Sequence, residues 1–314
     1  MTFYVASFGD LVVDIVAGVP ALPVEAARDQ LLDYIHLEPG GAGNFLIAGQ
    51  RLGMHMRAGG AVGQDAFGGI VLRILEEEGV DVSYVQHLPA GTTTTVLVLV
   101  DRLGQHVFLG RSGEGPEVLP GPWFSTFLEG AQALNLWGYT FMEPALVRSM
   151  LHLAEEAHRC GIPVFFDPGP QLRASESQIK HLLQLTRVIL LTEAEVPLMT
   201  GGLWGSEGIE ALLASGPSMV VLKQGVKGCT VYTCTEMIVS PGFPVPLRDT
   251  TAAGDSFAAA FVYGYLKGWP LEKVAAFANA TGAAKVQKIG SGRQVPTAEE
   301  VRQVLRAFRV DIDF

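Results

Sequence analysis

Short apolar runs alternate with longer amphipathic stretches along most of the chain. The short runs are bounded by turn residues and rich in β-branched side chains, a pattern typical of buried strands. They are Phe3–Phe8, Ala131–Trp137, Pro163–Phe166, Val188–Leu191, Met219–Leu222 and Thr230–Tyr232. Apolar spacing of helical period predicts helices at Leu146–Arg159, Gln178–Leu185, Ile209–Ala214, Asp255–Lys267 and Leu271–Lys288. This alternation predicts an α/β fold with a doubly wound, mainly parallel central sheet flanked by helices.

The first third of the chain has a different pattern. Thr92–Val100 and Gln105–Leu109 are apolar runs joined by a turn with Asp101 and Gly104, which predicts an antiparallel hairpin. We expect parts of residues 11–38 and 90–112 to form a small β-sheet lid beside the ligand cleft. An edge extension of the main sheet is the alternative. Because no linker is apparent, we expect residues 1–314 to form a single domain.

Composition and charge narrow the class of ligand. Of the 314 residues, 48% are hydrophobic and 17% are charged, so the chain can bury a large core. The net charge is −10 and the 22 lysines and arginines are scattered, which argues against a nucleic-acid partner and favours a small ligand. The three cysteines lack metal-site spacing. Apolar runs shorter than the roughly 20 residues of a membrane span predict no membrane partner, and without a signal pattern we expect a cytoplasmic protein.

Two glycine-rich segments are candidates for ligand-binding loops. The chain has no Gly-x-x-x-x-Gly-Lys-Ser/Thr pattern, so a P-loop nucleotide site is excluded. No complete Gly-x-Gly-x-x-Gly follows the first predicted strand, so a dinucleotide fingerprint fits poorly. The cluster from Gly40 to Gly43 precedes a predicted helix that continues to about Leu52. It is either a loop that enters this helix or a set of backbone amides close to a ligand.

The segment from Asp249 to Asp255 is more informative. Ala252, Ala253 and Gly254 are small residues at the start of a predicted helix, where unpaired amides and the helix dipole can stabilise a phosphate. Asp255 follows them and could accept a proton from an alcohol that attacks this phosphate. The alternative for Asp255 is an ordinary carboxylate that stabilises the helix start.

These segments together resemble the ribokinase-like, or PfkB, carbohydrate kinases over essentially the whole chain. DTTAAGDSFAAAF matches the C-terminal signature of that family, and GGAGNFLIAGQRLG with the later GQDAFG matches its N-terminal signature. The resemblance implies a ribokinase-like fold and phosphoryl transfer from ATP, with Mg²⁺, to a hydroxymethyl group of a sugar or nucleoside. It also implies that Asp255 is the catalytic base and that the amides of Ala252, Ala253 and Gly254 stabilise the developing charge.

The same motifs imply roles for further residues. The residues expected to hold the hydroxyls of the acceptor are Asp14, Gly40, Gly41 and Asn44. Those expected on the nucleotide side are Thr192, Lys223, Gly225, Gly228, Thr251 and Asn279. For Asn279, a helix polar group satisfied within the protein is the alternative. Arg111, beyond the predicted hairpin, is expected either to bind an anionic substrate or to be a surface arginine.

The resemblance also implies sites for metal ions, and the sequence departs from the family pattern at two places. Glu195 is expected to hold Mg²⁺ through water, and Asp249 with the loop around Gly290 is expected to bind a monovalent cation such as K⁺. Thr192 stands where the family often has asparagine. The segment from Asp167 to Gln171 reads Asp-Pro-Gly-Pro-Gln, where the family usually has Asp-x-Asn-x-Arg.

The acceptor stays open among several classes. A ribokinase, fructokinase or 2-keto-3-deoxygluconate kinase type is expected, with a nucleoside kinase as the alternative that uses the same chemistry. A catalytically silent sugar-binding regulatory protein is the alternative of another class. We also expect that exposed lid strands could pair two copies of the chain into a homodimer.

Overall fold

The computed structural model describes residues 2–26, 28–113, 123–142, 144–170 and 172–314. In chain order, the strands among these residues are β1 (Tyr4–Phe8), β2 (Leu11–Gly18), β3 (Tyr34–Gly41), β4 (His55–Gly63), β5 (Asp81–Leu88), β6 (Thr95–Val100), β7 (His106–Arg111), β8 (Ala133–Trp137), β9 (Val164–Asp167), β10 (Val188–Thr192), β11 (Met219–Lys223), β12 (Gly228–Thr233) and β13 (Met237–Pro241). The α-helices are α1 (Ala42–Arg51), α2 (Ala66–Glu77), α3 (Trp123–Leu128), α4 (Pro144–Arg159), α5 (Glu176–Leu185), α6 (Val196–Thr200), α7 (Gly205–Ala214), α8 (Ala253–Leu266), α9 (Leu271–Lys285) and α10 (Ala298–Ala307).

A nine-stranded sheet, in the order β13-β12-β11-β10-β9-β8-β1-β4-β5, lies at the centre of the described fold. Neighbouring strands from β5 to β11 run parallel, and β12 and β13 add an antiparallel edge. The chain winds outward from β1 to β5 and then restarts at β8, on the other side of β1. This reversal opens a crevice at the carboxyl ends of the strands, where sheets of this kind bind ligands.

Apolar side chains on both faces of this sheet explain why helices cover both. Along β1, Val5 enters one core whereas Ala6 and Phe8 enter the other, as the two-residue period of a strand requires. Residues from α1, α8, α9 and α10 close the first core, and residues from α4, α5 and α7 close the second. The N-terminal end of α8 therefore approaches the crevice from a well-packed helix.

The predicted fold class is confirmed, since each strand predicted for the main sheet overlaps an observed strand. The sequence pattern does not predict three strands of this sheet, β4, β5 and β13, or the helices α2, α3, α6 and α10. Strand β4 contains Gly59, where an added Cβ atom would lie 2.7 Å from the ring of Phe127. Packing therefore requires glycine inside this strand, although glycine is a poor strand residue by propensity.

The remaining strands form a separate four-stranded sheet in the order β3-β2-β6-β7, which we call the small sheet. The predicted hairpin is part of this sheet, so the structure does not support the alternative of an edge extension. Its turn is held by the Asp101 carboxylate, whose Oδ1 accepts hydrogen bonds of 2.9 Å from the amides of Leu103 and Gln105. Gly104, with φ 78°, lets this turn come against the carbonyl of Arg248.

The two faces of the small sheet differ in how far their apolar side chains are buried. Val16, Val98 and Val100 are buried on the face that includes Asp14, and Val16 approaches the loop that contains Gly290. On the opposite face, Ile35 and Leu109 are 58% and 55% exposed.

Among the described helices, none combines the length and the apolar character that crossing a membrane requires.

Candidate active site

The turn before α8 holds an unusual backbone conformation at the edge of the crevice. Ala252, which caps α8, has φ 61° and ψ 10°, a left-handed conformation that costs an alanine about 1 kcal/mol. The buried carboxylate of Asp249 stabilises the turn, because its Oδ1 accepts hydrogen bonds from the amide and hydroxyl of Thr251 at 2.9 and 2.8 Å. Its Oδ2 accepts one from the amide of Gly290 at 2.7 Å. In this turn the amide of Ala253 donates to the carbonyl of Thr250 at 3.1 Å, and the neighbouring amides at the start of α8 can bind an anion.

Asp255 lies in this first turn and contacts the N-terminal half of the chain. The side-chain amide of Asn44, on α1, donates a 2.8 Å hydrogen bond to Asp255 Oδ2. Burial raises the pKa of Asp255 to about 6, and the charge of Asp167 adds to the rise while Asn44 opposes it. A carboxylate of this pKa is ionised near neutral pH and basic enough to accept a proton from an alcohol.

Asp14 lies on β2 of the small sheet and is 5% exposed. Burial raises its pKa to about 7, the Ser291 hydroxyl opposes the rise, and the charges of Asp255 and Glu38 add to it. An added Cβ atom at Gly40 would overlap the carboxyl group of Asp14, so this position needs glycine. The electrostatic interaction of Asp14 with Asp255 brings the predicted acceptor residue and the predicted base into one site.

Gly41 and Asn44 form the start of α1 beside this site. Gly41 has φ 52° and caps the helix, and an added Cβ atom would lie 2.7 Å from the carbonyl of Asp10. Asn44 bonds in two directions, because its Oδ1 also accepts a 2.7 Å hydrogen bond from the amide of Gly292. Asn44 thereby connects α1, α8 and the loop before α10.

A second group of charges lies at the ends of three neighbouring parallel strands. Asp167 ends β9, Glu195 follows β10 and Lys223 ends β11. The Lys223 ammonium donates a hydrogen bond to Asp167, and these side chains are only 13% and 7% exposed. Lys223 Nζ also lies 3.6 Å from the position that a Cβ atom on Gly254 would take. A fixed cation therefore reaches the anion-binding turn.

The charged group formed by Asp167, Glu195 and Lys223 suits an Mg²⁺ ion that is bound together with a nucleotide. Burial and the charge of Asp167 raise the pKa of Glu195, whose Oε2 accepts a 2.7 Å hydrogen bond from the amide of Thr192. Burial alone would lower the pKa of Lys223, but Asp167 and Glu195 hold it above its usual value. No group of three or more metal-ligating side chains occurs among the described residues. One or two carboxylates plus phosphate oxygens is the usual protein environment of Mg²⁺, and Glu195 and Asp167 fit it.

The departure at Gly169 has a packing explanation. Gly169 has φ 65°, and an added Cβ atom would lie 2.8 Å from the ring of Tyr139. Burial raises the pKa of the Tyr139 hydroxyl, and the charges of Asp255 and Asp167 raise it further. Tyr139 therefore lies where a larger residue at position 169 would extend. Its proximity to four of the site's acids is a feature that sequence spacing does not reveal. Gln171 lies outside the described residues.

Of the predicted nucleotide residues, the two glycines have positive φ angles, and only Gly228 is also in close contact with neighbouring backbone. Gly225 has φ 59° and Gly228 has φ 99°, and an added Cβ atom at Gly228 would meet the backbone of β13. Asn279 is different, since its amide nitrogen donates to the carbonyl and hydroxyl of Ser240 at 3.1 and 3.0 Å. This nitrogen is therefore satisfied within the protein, as the alternative interpretation of Asn279 predicts. Contact of Asn279 with a nucleotide stays a prediction.

Arg111 lies at the end of the edge strand β7. Strand register pairs it with Thr95, one row away from the pair formed by Asp14 and Val96, so its side chain leaves the opposite face of the small sheet. Its Nη1 lies 3.3 Å from the hydroxyl of Thr92. Binding of an anionic substrate by Arg111 stays a prediction.

Lys285 is a charged residue near the site that the sequence analysis missed. It ends α9, and its side chain has no exposed surface. Burial lowers its pKa to about 8, while Asp249 and Asp255 oppose this fall. The available signal was the run Ala-Thr-Gly-Ala-Ala-Lys, in which a lysine ends a stretch of small residues on a buried helix.

A helix start that can bind an anion, beside a carboxylate of raised pKa and in the crevice of a doubly wound sheet, suits phosphoryl transfer to an alcohol. The model of the pfkB family carbohydrate kinases matches residues 2–298. The chain belongs to this family, and it is an ATP-dependent phosphotransferase that acts on a sugar or nucleoside.

Individual relatives differ in the acceptor they are named for. The ATP-dependent ribose-1-phosphate kinase of Halopiger xanaduensis is 30% identical over 303 residues, which cover 96% of this chain and 97% of that protein. The ribokinase of Bacillus subtilis is 27% identical over 271 residues, covering 85% and 87%. A structure of an E. coli protein, provisionally named Ribokinase II and solved with ATP and Mg²⁺, superposes with a TM-score of 0.83 at 21% identity, covering 98% and 100%.

Proposed function

We propose that the protein transfers the γ-phosphoryl group of ATP to a hydroxymethyl group of a sugar or sugar derivative, with Asp255 as the catalytic base. The observation that carries this proposal is the position of Asp255: it lies in the first turn of α8, bonded to Asn44 and electrostatically coupled to Asp14. A hydroxyl held between Asp14 and Asp255 would be adjacent to the anion-binding turn. Proton acceptor, acceptor alcohol and phosphate would then be within reach of one another.

In the proposed mechanism, Asp14 and Asn44 orient the acceptor by accepting and donating hydrogen bonds. Gly40 and Gly41 allow the acceptor to approach the backbone, since neither has a side chain in the way. Asp255 takes the proton as the alcohol oxygen attacks. The amides of Ala252, Ala253 and Gly254 stabilise the charge that develops on the transferred group. The small sheet acts as a lid that excludes water, which would otherwise compete for the phosphoryl group.

On the nucleotide side, Lys223 is proposed to contact the transferred phosphate, because its ammonium reaches the turn at Gly254. Gly225 and Gly228 provide a tight turn along which the triphosphate lies, and Thr192 and Thr251 border it. Glu195 would hold Mg²⁺ through water, with Asp167 nearby, and the bound ion would neutralise charge on the triphosphate. The residues of this chain bind and orient the groups.

The acceptor class is supported by the buried acid rather than by a cationic pocket. The buried carboxyl of Asp14 has room to accept a hydroxyl of the acceptor in addition to that of Ser291, so the site should discriminate against analogues that lack the acceptor hydroxyl. The relatives named ribose-1-phosphate kinase and ribokinase place ribose and ribose 1-phosphate first among the sugars to test.

An acceptor screen tests the proposal. ADP release would be measured with ribose, ribose 1-phosphate, fructose, 2-keto-3-deoxygluconate and nucleosides, and phosphorus NMR would identify the product. We expect one sugar or sugar derivative to be converted to a phosphate ester at the oxygen of its hydroxymethyl group. Faster turnover of nucleosides would favour the nucleoside kinase. Thermal stabilisation by sugars without ADP formation would favour the silent binder and reject the proposal.

We also propose that the outer face of the small sheet pairs two copies of the chain. Ile35 and Leu109 expose large apolar side chains there, and β7 is an edge strand. A second copy of the same face would bury both features at once. Sedimentation of the purified chain would show a dimer if this is correct.

A further inference from the structure

Lys285 is fully buried at the end of α9, beneath the loop that follows this helix. Its Nζ donates a 3.0 Å hydrogen bond to the carbonyl of Lys288, so the side chain folds under its own loop. That loop is fastened to the turn because the carbonyl of Val286 accepts hydrogen bonds from the amides of Arg248 and Asp249, at 2.7 and 3.2 Å. The ammonium is therefore part of the structure that supports the start of α8.

The charge of this ammonium is balanced by the acids of the site. Asp249 and Asp255 are the two acids whose charges favour the protonated lysine, and Lys288 is the cation that opposes it. A buried ammonium without such anions would be strongly destabilising. Lys285 is thus linked electrostatically to the acid that holds the turn and to the base that lies within it.

The sequence resemblance predicts a monovalent cation beside Asp249, and the buried ammonium of Lys285 puts a positive charge in the same region. Both carboxylate oxygens of Asp249 already accept hydrogen bonds from Thr251 and Gly290. A second cation in the same enclosed region would also be repelled by the ammonium of Lys285, and this repulsion is strong where little water screens it.

We propose that the ammonium group of Lys285 replaces a monovalent cation as the fixed positive charge behind the turn at residues 252–255, so that the enzyme works without potassium. Lys285 acts as a positioning residue. It touches neither substrate, and it acts through the carboxylate of Asp249 and the loop fastened to it. The positive charge keeps the turn in the conformation that presents its amides to the phosphate. This inference rests on the proposed function only for its kinetic consequence.

Two measurements on the unaltered protein test the proposal. Thallium NMR would be used with Tl⁺ as a potassium analogue, and we expect no saturable binding that K⁺ displaces. Turnover would be compared in potassium and in tetramethylammonium buffers of equal ionic strength, and we expect equal rates. Saturable Tl⁺ binding displaced by K⁺, or activation severalfold by potassium, would overturn the proposal.

Variants separate a positioning role from a purely structural one. Lys285→Met keeps the length of the side chain without its charge, and we expect kcat to fall on the order of tenfold or more with little change in the KM of the acceptor. In Lys285→Ala, we expect saturable Tl⁺ binding to appear and potassium to restore part of the lost turnover. Lys288→Met is the matched control, because its ammonium bonds outward to Glu300 and it should keep normal turnover in both buffers.

Each Lys285 variant has an outcome that would reject the positioning role. Normal kcat in Lys285→Met would reject the positioning role, and so would a loss of kcat in Lys285→Ala with neither Tl⁺ binding nor recovery in potassium. If either variant fails to fold, Tl⁺ binding and cation dependence of the unaltered protein still decide the question. If no acceptor yields ADP, the proposed function fails, whereas the Tl⁺ titration continues to test the replacement of the cation by Lys285.

Discussion

The start of α8 and the small sheet contribute to the same candidate site but differ in how firmly they are built. Residues Ser256–Gly264 of α8 are buried without interruption within the larger core. The small sheet has a cluster of its own made of Val16, Val98 and Val100, and its strand β2 also sends Leu11 and Val13 into the larger core. Its other face exposes apolar side chains. Chemistry would therefore depend on a deeply buried helix, and acceptor recognition on an element that is buried on one side and exposed on the other.

The largest loss of turnover is expected from a substitution at the start of α8. Asp255→Asn removes the proton acceptor but keeps the shape of the side chain and a group that can contact Asn44. We expect kcat to fall about 10³-fold. ATP affinity, measured by calorimetry, should be nearly unchanged, since the base acts mainly in the transition state. Near-normal turnover would remove Asp255 from its role.

A smaller and more selective effect is expected in the small sheet. Asp14→Asn keeps the size that fits beside Gly40 but changes the hydrogen bonds offered to the acceptor. We expect the KM of the acceptor to rise on the order of 10²-fold while the KM of ATP stays the same. Steady-state kinetics with each substrate varied in turn would measure both. An equal rise in the KM of the acceptor and the KM of ATP would contradict the assignment of acceptor recognition to the small sheet.

The acidity of Asp255 allows a third test. Burial and Asp167 raise its pKa to about 6, above the usual carboxyl value, so the group becomes protonated as pH falls through 6 and can no longer act as a base. We expect kcat/KM to fall about tenfold for each pH unit below this point. The Asn44 hydrogen bond opposes the rise in pKa, so in Asn44→Leu the fall should begin at higher pH. An unchanged profile in that variant would contradict control of the base by Asn44.

The smallest effect on turnover is expected from the outer face of the small sheet. Leu109→Glu places a charge on the apolar surface that we propose to pair two copies. We expect a shift from dimer to monomer in sedimentation, with turnover changed less than in the preceding variants. A dimer that persists would place the interface elsewhere, and a monomer in the unaltered protein would remove it.

The fold was predictable where a single local signal dominated. β-branched runs such as Val188–Leu191 are buried on both faces of the sheet, so composition alone indicates strands. Strand β4 escaped prediction because Gly59 is required by the ring of Phe127 rather than by any local preference. Local propensity carries no information about a ring that arrives from a distant helix.

The site was predictable in its motifs but not in the contacts between them. The sequence indicates that Asp255 begins a helix, which the structure bears out for its position. It does not indicate that Lys223 bonds to Asp167, or that the ring of Tyr139 lies over Gly169. These contacts join different strand ends, and only the assembled sheet brings such ends together.

The hydrogen bond between Asn44 and Asp255 spans 211 positions of the chain. Contacts between residues so far apart form late in folding, because closing a long loop costs entropy before the contact can stabilise it. An unfinished chain on the ribosome would hold the acceptor-side residues well before the base is synthesised. Regain of enzymatic competence after dilution from denaturant should therefore coincide with completion of the whole sheet, rather than with the first appearance of secondary structure.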